Sequence, residues 1–112
     1  MDRRIQIVRE AIEKDFKRAW TMADLAQLVN LSASRLRHLF KSETGETPTQ
    51  FLKEVRLRDA ERLLVTTFLS VKEIMNRVGF LDESHFGHEF KRMYGLAPSK
   101  YRESPASRNK TK

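Results

Sequence analysis

Two sets of polar side chains recur at the same spacing. Ser34, Arg37, His38 and Lys41 form the first; Ser84, His88 and Lys91, flanked by His85 and Arg92, form the second. At 3.6 residues per turn each set lies on one side of a helix. Leu36, Leu39 and Phe40 lie opposite the first set, and Phe86, Phe90 and Met93 opposite the second. Glu43 and Glu89 fall away from the centre of the polar sides. Lys and Arg pair with phosphates, and Ser, Arg and His exchange hydrogen bonds with phosphates and base edges alike. The chemistry on offer is recognition of a polyanion, not the making of bonds.

The alternatives to recognition are thin. The chain has no cysteine, which excludes a thiolate zinc site, a Cys nucleophile and a disulfide framework, and suits a reducing cytosol. His85, His88 and Glu89 have metal-ligand types but lack paired His at i, i+4 and any thiolate, so neither metal nor cofactor is expected. The balance of 22 Lys and Arg against 15 Asp and Glu gives a net charge of +7 over 112 residues. Such a balance points first to nucleic acid and next to an acidic membrane surface. No apolar run is long enough to span a bilayer, and no signal peptide opens the chain.

The elements that must position these side chains are helices set off by caps. Hydrophobic residues make up 39% of the chain, with ten aromatics, enough for a thin core. Ile5, Val8, Ile12 and Phe16 mark one face of a first helix. Thr21 and Asp24 form a capping box for "MADLAQLV", Ser32 caps "ASRLRHLFKSET", and Gly45 stops it. Thr47, Pro48 and Gln50 start a long helix that runs to about Thr66. Ser70 and Glu73 box the start of "VKEIMNRV", Asp82 caps "ESHFGHEFKRMY", Gly95 stops it, and Pro98 opens "PSKYR". No stretch shows strand alternation, so the expected class is all-α with about seven helices.

The second half repeats the first. Leu25, Val29 and Asn30 align with Ile74, Val78 and Gly79; one extra residue then shifts the offset from 49 to 50. From there Ser34, Leu36, His38, Phe40, Lys41, Gly45 and Pro48 align with Ser84, Phe86, His88, Phe90, Lys91, Gly95 and Pro98. Asn and Gly are the types that best tolerate a left-handed turn. Each copy is a helix, a tight turn, a longer helix and a glycine stop, which is the pattern of a helix-turn-helix. Two copies are too few for a solenoid.

The motifs "LSASRLRHLFKSETGETPTQFL", "RLRDAERLL" and "SVKEIMNRVGFLDESHFGHEFKRMYGLAPSKYR" resemble the DNA-binding domain of the AraC/XylS family of bacterial transcription regulators, from about Ile5 to Arg102. The resemblance implies two homeodomain-like helix-turn-helix subdomains, about 21–45 and 70–95, joined by the central helix 48–66. The domain would run from 1 to 103 and be followed by a disordered basic tail, 104–112. Each subdomain would place its second helix in a major groove of double-stranded DNA. The family's base-contacting positions fall on Ser34, Arg37 and His38 in the first copy and on Ser84, His85 and His88 in the second. Ser32, Lys41, Lys91, Arg92 and Lys100 are the candidates for phosphate, and the helix starts at Ser32, Pro48, Asp82 and Pro98 offer amides to phosphate as well.

The partners expected are a double-stranded operator and RNA polymerase, with no membrane. The domain is expected to be monomeric, cytoplasmic and nucleoid-associated, and to be cut from a larger bacterial regulator, for which an activator is one reading with repression left open, and in which any dimerisation runs through a domain outside this chain. A stand-alone regulator, a nonspecific architectural binder and a fragment of a DNA-repair methyltransferase are the rivals; the absence of Cys removes the methyl acceptor of the last. Trp20, Phe51 and Phe80 are expected in the core, and Arg56 and Arg62 paired with Asp59 or Glu61. If protonation of His38 and His88 strengthens contact, affinity rises as pH falls through the histidine range.

Two positions depart from the family's pattern. Met75 replaces a small residue, so the helices there must splay or repack. Gly87 sits within a helix at a cost of about 1 kcal/mol relative to Ala. It stands where the first copy has Arg37, so the second helix has lost a long donor there or lets its backbone approach the DNA more closely, and the first unit is expected to contribute more specificity.

Overall fold

The computed structural model describes residues 1–105. Among them are seven α-helices and no strand: α1 (Arg3–Lys14), α2 (Met22–Leu28), α3 (Ala33–Thr44), α4 (Pro48–Thr66), α5 (Val71–Val78), α6 (Glu83–Tyr94) and α7 (Pro98–Glu103). The all-α class and its two helix-turn-helix units are as the sequence implies. Residues 106–112 of the expected tail lie outside the described residues. Ser104 is held, because its hydroxyl donates to the Tyr101 carbonyl at 2.6 Å.

Local chemistry sets the helix ends. The capping boxes at Thr21/Asp24 and Ser70/Glu73 each satisfy two backbone N–H groups that a helix start would leave unpaired. Thr47 and Gln50 do the same before α4, through bonds of 2.9 and 3.2 Å. Gly45 and Gly95 close α3 and α6 in the left-handed region, at φ 88° and 87°. The helix α1 stops at Lys14, short of Phe16, because Asp15 leaves helical geometry at φ −141°. Phe16 therefore packs on the core from outside the helix, partly buried.

The chain divides into two compact units, residues 1–55 and 56–112, with the boundary inside α4. In the first, α1, α2 and α3 pack on one another around Ile5, Val8, Ile12, Leu25, Leu36 and Phe40, joined by Phe51 and Leu52 from the start of α4. The Phe40 and Phe51 rings meet at 5.9 Å. Trp20, expected in the core, is only partly buried; its indole N–H donates to the Asp15 carbonyl at 2.8 Å, and the Arg18 guanidinium covers its ring at 4.0 Å.

The second unit is built on the other half of α4. Leu57, Ala60 and Leu64 are buried there with Ile74, Met75 and Val78 of α5. Met75 is accommodated at 4% exposure. Phe90 gathers a ring cluster, with Phe86 at 6.0 Å, Tyr94 at 4.7 Å and Tyr101 at 5.5 Å. The Tyr101 hydroxyl donates to the buried Glu61 carboxylate at 2.6 Å, and burial together with that bond pushes its phenol up to about 12. Arg102 donates to the Leu64 and Thr67 carbonyls at 3.1 and 3.4 Å, tying α7 to the end of α4. Phe80 is buried, as expected, and Met93 is not; it is 40% exposed at the end of α6.

Candidate nucleic-acid interface

Each unit presents one helix of twelve residues whose outward side is polar and whose inward side is apolar, with Phe40 in α3 and Phe86 and Phe90 in α6. In the first unit Asn30, at φ 55°, turns the chain out of α2, and the Ser32 hydroxyl accepts from Arg35 N at 3.1 Å to start α3. Leu36 and Phe40, both fully buried, fix the roll of α3. That roll leaves Ser34, Arg37, His38 and Lys41 exposed together. Ser32, Ser34 and His38 line a surface cleft of about 480 Å³ with Leu39 and Arg35.

Arg35 carries no signal of its own in the sequence, although the 50-residue offset pairs it with His85. It is exposed on the same side of the cleft-bearing helix. The signal was the repeat itself, carried one position further.

In the second unit Gly79 makes the turn at φ 98°. A Cβ built on it would stand 3.0 Å from Arg56 Nε, so the half-buried Arg56 side chain packs directly over the turn. Arg62 takes the pairing expected of it, with Asp59 at 2.9 Å. Phe86 and Phe90 are fully buried and orient α6. Ser84, His85, His88, Lys91 and Arg92 are all exposed. His85 is steadied by Phe80, ring centre to ring centre 5.8 Å. Glu89 turns further inward than its place at the edge of the polar side suggested, to 8% exposure, and draws Arg92 to 3.7 Å. Arg92 keeps 70% of its side chain exposed.

The two helix starts differ in electrostatics. At α3 a neutral hydroxyl takes one amide. At α6 the Asp82 carboxylate accepts from both Ser84 N and His85 N, at 2.9 and 3.2 Å. Those two amides are therefore engaged by Asp82, and a negative charge stands in front of them, which disfavours a phosphate at this helix start. The start of α7 has no side-chain cap, and Lys100 is exposed within it. Among the described residues no three His, Cys, Asp or Glu side chains gather to hold a metal ion, and no helix is long and apolar enough to cross a membrane.

The comparisons with known proteins agree with this geometry. A family described as a helix-turn-helix domain matches residues 25–104. The raffinose operon transcriptional regulatory protein RafR of Pediococcus pentosaceus is 39% identical over 93 residues, which cover 83% of this chain and 34% of RafR. The chain spans about a third of the length of the curated relatives it matches. The C-terminal domain of AraT, a response regulator from Geobacillus stearothermophilus, has 31% identity and a TM-score of 0.83, covering 89% of this chain and 84% of that one. The DNA-binding domain of AdpA, a global transcriptional factor solved in complex with a target DNA, has a TM-score of 0.87 at 28% identity, covering 96% of this chain and 97% of that one. Sequence, helix order and fold together show that this chain belongs to the helix-turn-helix family of AraC-type DNA-binding domains.

Proposed function

We propose that this chain binds double-stranded DNA sequence-specifically, with α3 and α6 reading successive major grooves, as the DNA-binding part of a transcription regulator. The observation that carries the reading is the doubled outward set: Ser, His and Lys at matching positions of two helices whose inward aromatics fix their roll. Ser34, Arg37 and His38, and Ser84, His85 and His88, contact base edges. Lys41, Lys91, Arg92, Lys100 and Ser32 contact phosphates, and Arg35 joins them from the rim of the cleft. Arg92 contributes least of the cations on α6, because Glu89 already neutralises part of its charge. The protein is a regulator and not an enzyme. It works in the cytoplasm on nucleoid DNA as an activator that also meets RNA polymerase, and it dimerises, where it does, through chain outside the matched domain.

Selection of bound sequences from random duplexes tests this. A site of about 20 base pairs with two blocks one helical turn apart is expected. Arg37→Ala on that site should lose about 1–3 kcal/mol and relax preference at one base pair. A uniform loss over all sequences would make Arg37 a phosphate contact. Specific binding less than about 10³-fold above nonspecific would replace the reading with that of an architectural binder.

A further inference from the structure

We infer that Gly87 is the point at which the backbone of α6 lies directly against the DNA, and that its missing side chain sets how deeply the second unit reads. The inference rests on the proposed DNA binding. A glycine inside a helix needs a reason, because it is a poor helix former. Three reasons of the fold itself are absent. Gly87 is not among the glycines with positive φ, which are Gly45, Gly79 and Gly95. It is neither a cap nor a stop, lying at the fifth of the twelve positions of α6. A Cβ built on it would meet nothing within 4 Å, so no neighbouring element demands the space.

What surrounds Gly87 is the reading surface. Ser84 lies three residues before it, His88 directly after it and Lys91 four residues on, all exposed. Ser84 and Gly87 together make a low strip along one side of α6, one side chain short and the next missing. In the first unit the equivalent strip carries Ser34 and then Arg37, a long side chain that spans the distance to a base edge by itself. With no side chain at that position, α6 can contact the duplex there only by closer approach of its backbone. The exposed His88 and Lys91 then meet groove and phosphate from a helix seated deeper than α3.

The experiment is a pair of readouts on Gly87→Ala and Gly87→Leu, using the operator selected by the parent chain. The free protein should melt a few degrees higher in both variants, because each replaces glycine with a strong helix former. Operator affinity should fall about tenfold for Ala and further for Leu, as the added side chain holds the helix off the DNA. Opposite movements of stability and affinity are something a purely structural glycine does not produce. Unchanged or tighter binding by Gly87→Ala overturns the inference, as does a lower melting temperature in both variants, which would give the glycine a role in the fold. If the parent chain itself selects no operator, the DNA-binding reading fails and this inference falls with it; if the parent binds and the variants bind equally well, only the inference falls.

Discussion

The helices α3 and α6 have the same length, the same kind of capped start and the same left-handed glycine stop. Their outward chemistry differs. α3 carries Arg35, Arg37 and Lys41 against a single carboxylate, Glu43, while α6 carries Lys91 and Arg92 against Glu83 and Glu89, with Asp82 in front. Asp82 also consumes two amides of the α6 start, whereas Ser32 takes one amide of α3 without adding charge. The repeat preserves what builds the helix and lets go of what the helix shows. A scaffold position answers to its own core, so Phe40 and Phe90 stay the same; an outward position answers to a partner, so Arg37 and Gly87 do not.

The comparison breaks most visibly at those shared aromatics. Phe40 and Phe90 are both fully buried, and each replaced by Ala should lose about 3–5 kcal/mol. Phe90→Ala should be the worse of the two. It removes three ring contacts, with Phe86, Tyr94 and Tyr101, where Phe40 has one with Phe51. Such pairs add about 0.5–1.5 kcal/mol beyond burial. Urea unfolding followed by circular dichroism, and by the fluorescence of Trp20 as a reporter of the first unit, measures both. A larger loss for Phe40→Ala would mean that the ring cluster adds nothing to the second unit.

A smaller effect is expected at the turns. Asn30 at φ 55° and Gly79 at φ 98° do the same work in the two units. Asn30→Gly should change stability by no more than about 0.5 kcal/mol, since either type accepts this backbone. Gly79→Asn should cost about 1–2 kcal/mol, because the side chain adds strain at that φ and Arg56 must also shift. Equal effects in thermal melts would show that Arg56 yields freely and that the turns are interchangeable.

The difference between those turns also marks where sequence stops being informative. Helix starts were legible because a capping box is local: Thr21 with Asp24, Thr47 with Gln50 and Ser70 with Glu73 each close within three residues. The outward polar sets were legible because helical period and repetition agree. Contacts between distant residues were not. Nothing near Arg56 in sequence points to Gly79, and nothing near Tyr101 points to Glu61. Periodicity alone also carried α1 too far, to Phe16, which packs on the core from beyond the helix end, and the apolar face of α6 too far, to exposed Met93. At a helix end the backbone's departure and the edge of the core decide burial, and period knows neither. Arg35 is hard to read for the opposite reason, since a basic residue on a solvated helix carries no signal until the repeat sets it opposite His85.

The smallest expected effect is one of equality. The boxes at Thr21 and Ser70 have nearly the same geometry, with hydroxyls accepting from Asp24 N at 3.0 Å and Glu73 N at 3.1 Å. Thr21→Ala and Ser70→Ala should each cost about 1 kcal/mol at neutral pH, by nearly the same amount. The backbone N–H of each cap, and then its hydroxyl, hold the Asp24 and Glu73 carboxyls below their ordinary range. A carboxyl lowered in the folded chain stabilises it above the unfolded value, and that share is lost as pH falls through the lowered one. Each alanine variant keeps the backbone N–H that does most of the lowering, so its deficit against the parent should shrink on acidification only by the smaller hydroxyl-to-carboxylate part, while the hydroxyl's bond to the amide remains. Urea midpoints from neutral pH down through the carboxylate range read this directly. A deficit that narrows in one unit and stays constant in the other would show that the two helix-turn-helix entries, alike in geometry, differ in how much of their hold is charge.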